Sequence, residues 1–262
     1  MTRYLRLLLA QFRFSAAASA QYRVEFFVDG GVELLWTFTA LAPLLVVYRD
    51  RTSVAGWTFG ESLIVLAFFT LLQALLEGVM NPSFVAVVEH VRRGTLDYVL
   101  LMPADAQFLI STGRFHLWRS VNVLTAVVLF GVAFRDLGRV PSLEDGVLAA
   151  ALFGAAAMIL HAIWTLVMCT VFFAAKTDQI TDVLSATLDG SRWPSSVFRG
   201  GVRLVLTFVV PLGLMTTAPA TALLGHFDRT LVVAAILEAI VLSGLARWAW
   251  TRSLARYASA SS

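Results

Sequence analysis

Few residues in this chain have the type and placement to do chemistry, and those few stand apart from one another. Glu238 falls near the middle of a long apolar run, while Glu33 and Glu77 lie close to the ends of two others. An ionisable group at mid-bilayer costs at least about 2.5–3.5 kcal/mol on insertion scales, so Glu238 is expected to face protein or water. It would then line a polar path or pair with another polar group. Glu33 and Glu77 sit where solvation is easier, and interfacial anchoring is the expected role. His161 has no acid at helical spacing and reads as a satisfied core group rather than a base or metal ligand. His90, His116, His161 and His226 occupy four separate segments, and no H-E-x-x-H, G-x-S-x-G or G-x-x-x-x-G-K-[ST] string occurs. Cys169 is the one cysteine, which excludes an intrachain disulfide and a cysteine metal cluster. An intramembrane hydrolase or transferase would need a nucleophile with its base, or clustered ligands, at one depth. The sequence offers neither.

The elements that position these residues are membrane spans. Hydrophobic residues make up 58% of the 262 and charged residues 14%, against roughly 45–50% and about 25% in soluble domains. Too little charge remains to cover a water-soluble surface, so an all-α polytopic membrane protein is expected. About 20 apolar residues cross the hydrocarbon, and six segments qualify, near 30–48, 62–80, 115–134, 146–175, 202–218 and 230–250. With a cytoplasmic N-terminus, fifteen Lys and Arg face that side; Arg49, Arg51, Arg135, Arg139 and Arg229 face the other. That bias predicts a multi-pass protein with both termini inside; the resemblance given below implies the bacterial cytoplasmic (inner) membrane. Arg192 is counted among the inside charges, Trp193 is placed at a span end, and Trp36 is read as a packing residue. Without a clustered basic stripe, no nucleic-acid partner is expected.

Three local patterns refine this plan. Residues 1–25 form an amphipathic segment, with Leu5, Leu8, Leu9 and Phe12 on one stripe and Arg3, Arg6 and Arg13 elsewhere. It fits an interfacial helix held on anionic lipid, followed by a six-helix transmembrane body over 26–256 and a short tail, 257–262. Pro211 and Pro219 interrupt the fifth span, and proline bends or ends helices. Residues 202–218 are read as the span proper and 219–225 as a re-entrant half-helix. Between spans two and three, Asn81-Pro82 reads as a helix start, with Phe84, Val87, Val88 and Val91 on one face and Glu89, His90, Arg92 and Arg93 on others. Gly94 is the expected stop, Thr95-Leu96-Asp97 opens a second turn, and Pro103 closes it. The apolar face needs a cover: either a protein partner or the chain's own spans.

The string Arg92-Arg93-Gly94-Thr95-Leu96-Asp97-Tyr98-Val99-Leu100-Leu101-Met102-Pro103 resembles the "R-x-G-T-L-D-x-x-L-x-x-P" loop of ABC type-2 transporter permeases of the six-span bacterial branch. Trp193-Pro194, Pro211, Ala218-Pro219-Ala220 and Leu224-Gly225 are similar to further strings of that family, and the likeness runs along essentially the whole chain. Met102 departs from it, standing where a basic residue is the pattern. The resemblance implies an exporter permease subunit, not an enzyme, that pairs with a second permease, identical or related. It implies docking on a separate ABC ATPase subunit that carries ATP and Mg, with no cofactor on this chain. It makes Phe84, Val87, Val88, Glu89, Val91, Arg92, Arg93, Gly94, Leu96 and Asp97 the ATPase-coupling residues. A non-transporting membrane anchor would have a similar sequence. The sparsely charged path suits amphipathic or lipid-like cargo.

Overall fold

The computed structural model describes residues 2–21, 23–170, 172, 189–197, 211–226 and 228–256. Regular structure among them is helical, apart from an isolated antiparallel bridge between Val54 and Trp57. The helices are α1 (Thr2–Gln21), α2 (Arg23–Arg49), α3 (Phe59–Leu75), α4 (Asn81–Arg92), α5 (Leu96–Leu100), α6 (Ala106–Ser111), α7 (Ser120–Leu137), α8 (Leu143–Thr170), α9 (Leu212–Leu223) and α10 (Arg229–Arg256). Five described stretches are long and apolar enough to cross a membrane: Gly30–Arg49, Phe59–Arg92, Ser120–Leu137, Leu143–Thr170 and Arg229–Arg256. Of the fifth expected span, residues 202–210 lie outside the described residues, as does the tail 257–262.

The bundle has two distinguishable ends. At the hairpin end, short turns join α2 to α3, α7 to α8 and α9 to α10. Each helix leaving it is capped by a polar side chain, which satisfies first-turn N–H groups that have no intrahelical acceptor. Thr58 and Glu61 form a reciprocal capping box at α3. The Ser142 hydroxyl accepts from Asp145 N–H at α8, and Asp228 Oδ1 accepts from the N–H groups of Thr230 and Leu231 at α10. The hairpin-end core packs Leu63, Leu66 and Phe69 with Leu129, Leu152, Leu214 and Ala235. At the opposite, α1 end, Phe84, Val87 and Leu96 join Ile159, Leu160, Trp164 and Trp250. Helix α1 lies across this end: Tyr4 meets Phe108 edge-on at 5.0 Å and Phe12 meets Phe115 at 5.7 Å. The Phe115 N–H donates to Ser15 Oγ at 3.1 Å. Leu5, Leu9 and Phe12 remain exposed.

The Asn81-Pro82 pair does not start a helix. Helix α3, a π turn at Leu76–Met80 and α4 run on as one 34-residue stretch, Phe59–Arg92. Pro82 has no N–H to give the Gly78 carbonyl, the loss that normally breaks a helix. Here Asn81 N–H reaches back to the Leu76 carbonyl, and His116 N–H donates to Gly78 O at 2.8 Å. With the orphaned acceptor satisfied from outside, the helix continues. The stop comes at Gly94, whose φ of +65° suits glycine.

Pro219 likewise sits inside α9 rather than at a break. One missing donor is tolerated in a helix packed among others, and Ala218, Ala220 and Ala222 around it are buried. Pro211 instead marks a helix start: its backbone is non-helical at φ −62°, ψ 44°, and α9 begins immediately after it. Trp36, expected in the core, is 62% exposed on α2, the outermost of the long helices.

Candidate functional site

Thr70, Gln73 and Glu77 recur at i, i+3 and i+7 and so share one face of α3 and its π turn. Across from them, Asn122 is buried in the first turn of α7, with Arg119 just before it. The close approach is set by Gly78, where a Cβ would come 3.4 Å from the Arg119 Cβ. Arg119 Nη2 and Glu77 Oε2 lie 3.7 Å apart with both side chains about three-quarters buried, at 26% and 23% exposure. The third wall is Asp189–Arg192, a 3₁₀ turn whose Arg192 guanidinium stands 5.1 Å from the Phe69 ring centroid. Arg192 Nη2 pairs with Asp189 at 2.7 Å. Arg192, Phe69, Thr70, Gln73, Glu77, Arg119 and Asn122, with Trp36, Thr37 and Ala40 of α2, line an open cleft of about 200 Å³.

Arg192 and Trp193 therefore lie in the hairpin half of the bundle, not at the α1 end where the charge count places Arg192. Ser191 O accepts from the Thr216 hydroxyl at 3.0 Å, and Ser195 N–H donates to Thr217 Oγ1 at 3.1 Å. The Trp57 indole N–H donates to Ser196 Oγ at 2.9 Å, which ties this segment to the hairpin end. Trp193 packs against the hairpin-end core. The two threonine hydroxyls of α9 thus satisfy backbone groups of this irregular segment.

At the α1 end, the expected coupling residues divide into two groups. Phe84, Val87, Val88 and Leu96 are buried, and the Phe84 ring meets Trp164 of α8 edge-on at 5.8 Å. Val91 packs against the same cluster. The chain's own spans cover the apolar face. Arg92 and Arg93 are exposed, while Glu89, Gly94 and Asp97 are half-buried. Glu89 pairs with Arg93 at 2.6 Å. The outward apolar side chains are instead Tyr98, Leu101 and Met102, at 71%, 81% and 51% exposure. The turn that carries them is fixed by Arg3, which donates to the Pro103 carbonyl, and by Asp105, which caps α6 and pairs with Arg247 at 2.7 Å. The Arg247 hydrogen bond holds the Asp105 carboxyl below its ordinary range.

The remaining candidates are dispersed. His161 Nε2 and Ser111 Oγ lie 3.0 Å apart. Glu238 is half-buried on α10, away from the cavity. The Glu33 side chain lies outside the described residues, although its backbone belongs to α2. Among the described residues no three His, Cys, Asp or Glu converge on a metal-sized site.

A family model described as "ABC-2 family transporter protein" matches residues 34–261. The chain belongs to that family. No curated protein and no solved structure matches it. As an ABC-2 family protein it is a membrane permease component of an ABC transporter, a class that works with an ATPase subunit. In this ABC-2 protein, sequence reasoning missed Gln73, Asn122 and Arg192 as site residues. A signal for the first existed: Thr70, Gln73 and Glu77 are polar positions on one face of an otherwise apolar helix. No local signal places Arg192, whose depth is decided by tertiary contacts with Phe69 and α9.

Proposed function

We propose that the chain is the pathway-forming permease of an ABC exporter, paired with a second permease and driven by a separate ATPase that carries ATP and Mg. The reading is carried by one observation: the helix lining the polar cavity, Phe59–Arg92, leads at its far end into an outward apolar patch. Unpartnered apolar surface beside charge marks a docking site, so Tyr98, Leu101 and Met102, flanked by Arg92 and Arg93, receive the ATPase. The α1 end is cytoplasmic, since the Lys and Arg bias survives the removal of Arg192 from the count. Helix α1 then lies along the inner leaflet of a bacterial inner membrane, and both termini face the cytoplasm.

Leu101→Asp tests this reading. The variant should insert normally, yet lose co-purification with the ATPase subunit and permease-dependent ATP turnover. Unchanged ATPase association would refute the docking assignment. Val88→Asp should instead fail to accumulate, because Val88 is 7% exposed within the core.

A further inference from the structure

Helix α1 has two working faces. Tyr4, Gln11 and Ser15 recur at i, i+7 and i+11 and share the first. That face is docked on residues 103–115. Tyr4 meets Phe108 edge-on, Gln11 Nε2 donates to the Leu109 carbonyl at 3.4 Å, and the Thr112 hydroxyl donates to Gln11 Oε1 at 2.9 Å. Farther along, Ser15, only 7% exposed, accepts at Oγ from Phe115 N–H at 3.1 Å. Arg3 adds a tie to the Pro103 carbonyl. The contacts advance together along both segments, so α1 splints 103–115 from one end to the other.

The second face fits a different partner. Leu5, Leu9 and Phe12, at i, i+4 and i+7, are exposed, although Phe12 also meets the Phe115 ring. Arg6 and Arg13, also exposed, flank them on the side away from the docked face. Thr2–Gln21 contains three arginines and no Asp or Glu. An apolar stripe bordered by arginines is complementary to an acidic bilayer surface, where apolar contact and charge attraction act together. The two faces do not overlap, so α1 can hold lipid and 103–115 at once. A helix already laid down by lipid loses less freedom when it docks.

The splinted segment runs without a break into the turn that displays Tyr98, Leu101 and Met102. Met102 N–H donates to Val99 O at 3.2 Å, and Ala104 N–H donates to Met102 O at 2.8 Å. Anything that favours the docked state of α1 therefore favours this arrangement of the turn, and the bias is reciprocal. We infer that an anionic lipid surface, gripped by α1 through Arg6, Arg13 and the Leu5, Leu9 and Phe12 stripe, is a positive effector that holds residues 98–115 in position for the ATPase. The inference rests on the docking reading for the word ATPase; the lipid linkage itself does not.

The test is hydrogen exchange of the full chain in bilayer discs of phosphatidylcholine alone and of phosphatidylcholine mixed equally with phosphatidylglycerol. Amides of 103–115 should exchange several-fold more slowly in the mixed discs, and those of Leu143–Thr170 should not change. Roughly fivefold for each arginine at the surface, hence about 25-fold for Arg6 and Arg13 together, bounds what this pair can contribute. Arg6→Gln combined with Arg13→Gln should remove most of the lipid dependence. Gln11→Leu combined with Ser15→Ala keeps the charge of α1 but cuts its ties. In that variant the α1 amides should stay slower in the mixed discs, while 103–115 should lose the difference. Should it fail to accumulate, Gln11→Leu alone should shrink the difference at 103–115. Equal exchange of 103–115 in the two discs overturns the inference, as does undiminished lipid dependence in either the arginine or the Gln11 variants. Slowing of α1 that requires the ATPase and not the acidic lipid assigns the second face to a protein and overturns it too. Lipid-dependent exchange alongside ATPase association that ignores the lipid refutes the docking reading alone.

Discussion

Replacing Glu77 and Arg119 singly and together measures how strongly the cavity wall holds itself. At 3.7 Å and an effective dielectric near 20, opposite unit charges attract by about 4–5 kcal/mol. Each side chain is about a quarter exposed, so solvent screening and the entropy of holding two long side chains cut this figure. Fully exposed pairs give about 0.2–1 kcal/mol, and removing one partner of a fully buried pair costs about 3–5 kcal/mol. A coupling of about 1.5–3 kcal/mol lies between these limits. Glu77→Gln and Arg119→Gln should each destabilise the chain, and the double variant should be more stable than the two losses added together. Unfolding of all four proteins in one detergent–lipid mixture, followed by helix signal, closes the cycle. A coupling below about 0.5 kcal/mol would show that the two charges sit in contact without supporting each other, and the electrostatic account of this wall would fail.

Other substitutions separate the roles of the α1 end. Phe84→Ala should cost about 3–5 kcal/mol because the ring is 3% exposed against Trp164, whereas Val85→Ala, at 60% exposure, should change the unfolding midpoint little. Asp105 supplies a pH test. Its carboxyl is held below 3.8, so its contribution is present above that ordinary value and lost as pH falls through the lowered folded value. Thermal midpoints measured from pH 6 down to pH 3 should fall more steeply for the wild type than for Asp105→Asn. Leu101→Asp, read by ATPase association, completes the set.

Much of this architecture was legible because it depends on local rules. Apolar runs of span length gave the long helices, the leucine stripe gave α1, and Gly94 with Thr95-Leu96-Asp97 gave the break and the new turn at α5. The misreadings share a cause. Pro82 and Pro219 remove a donor, but whether a helix ends there depends on who else satisfies the carbonyl; for Pro82 the answer is His116, distant in sequence. Val87 and Val88 display an apolar face, yet only the packing of α8 says what covers it. Counting arginines assumes that a charged segment between spans stays outside the membrane, and Arg192 breaks the assumption by lying over Phe69.

The unbroken stretch Phe59–Arg92 has a mechanical meaning. Thirty-four residues at about 1.5 Å each make a rod some 50 Å long. Glu77 and Gln73 ride on the same rod as the residues that lead into Tyr98 and Leu101. A thrust delivered along its axis at Arg92 displaces the cavity wall by the same distance, with no hinge to absorb it except the π turn at Leu76–Met80. Where a jointed elbow would dissipate a push, a continuous shaft turns it into a change in the shape of the cavity.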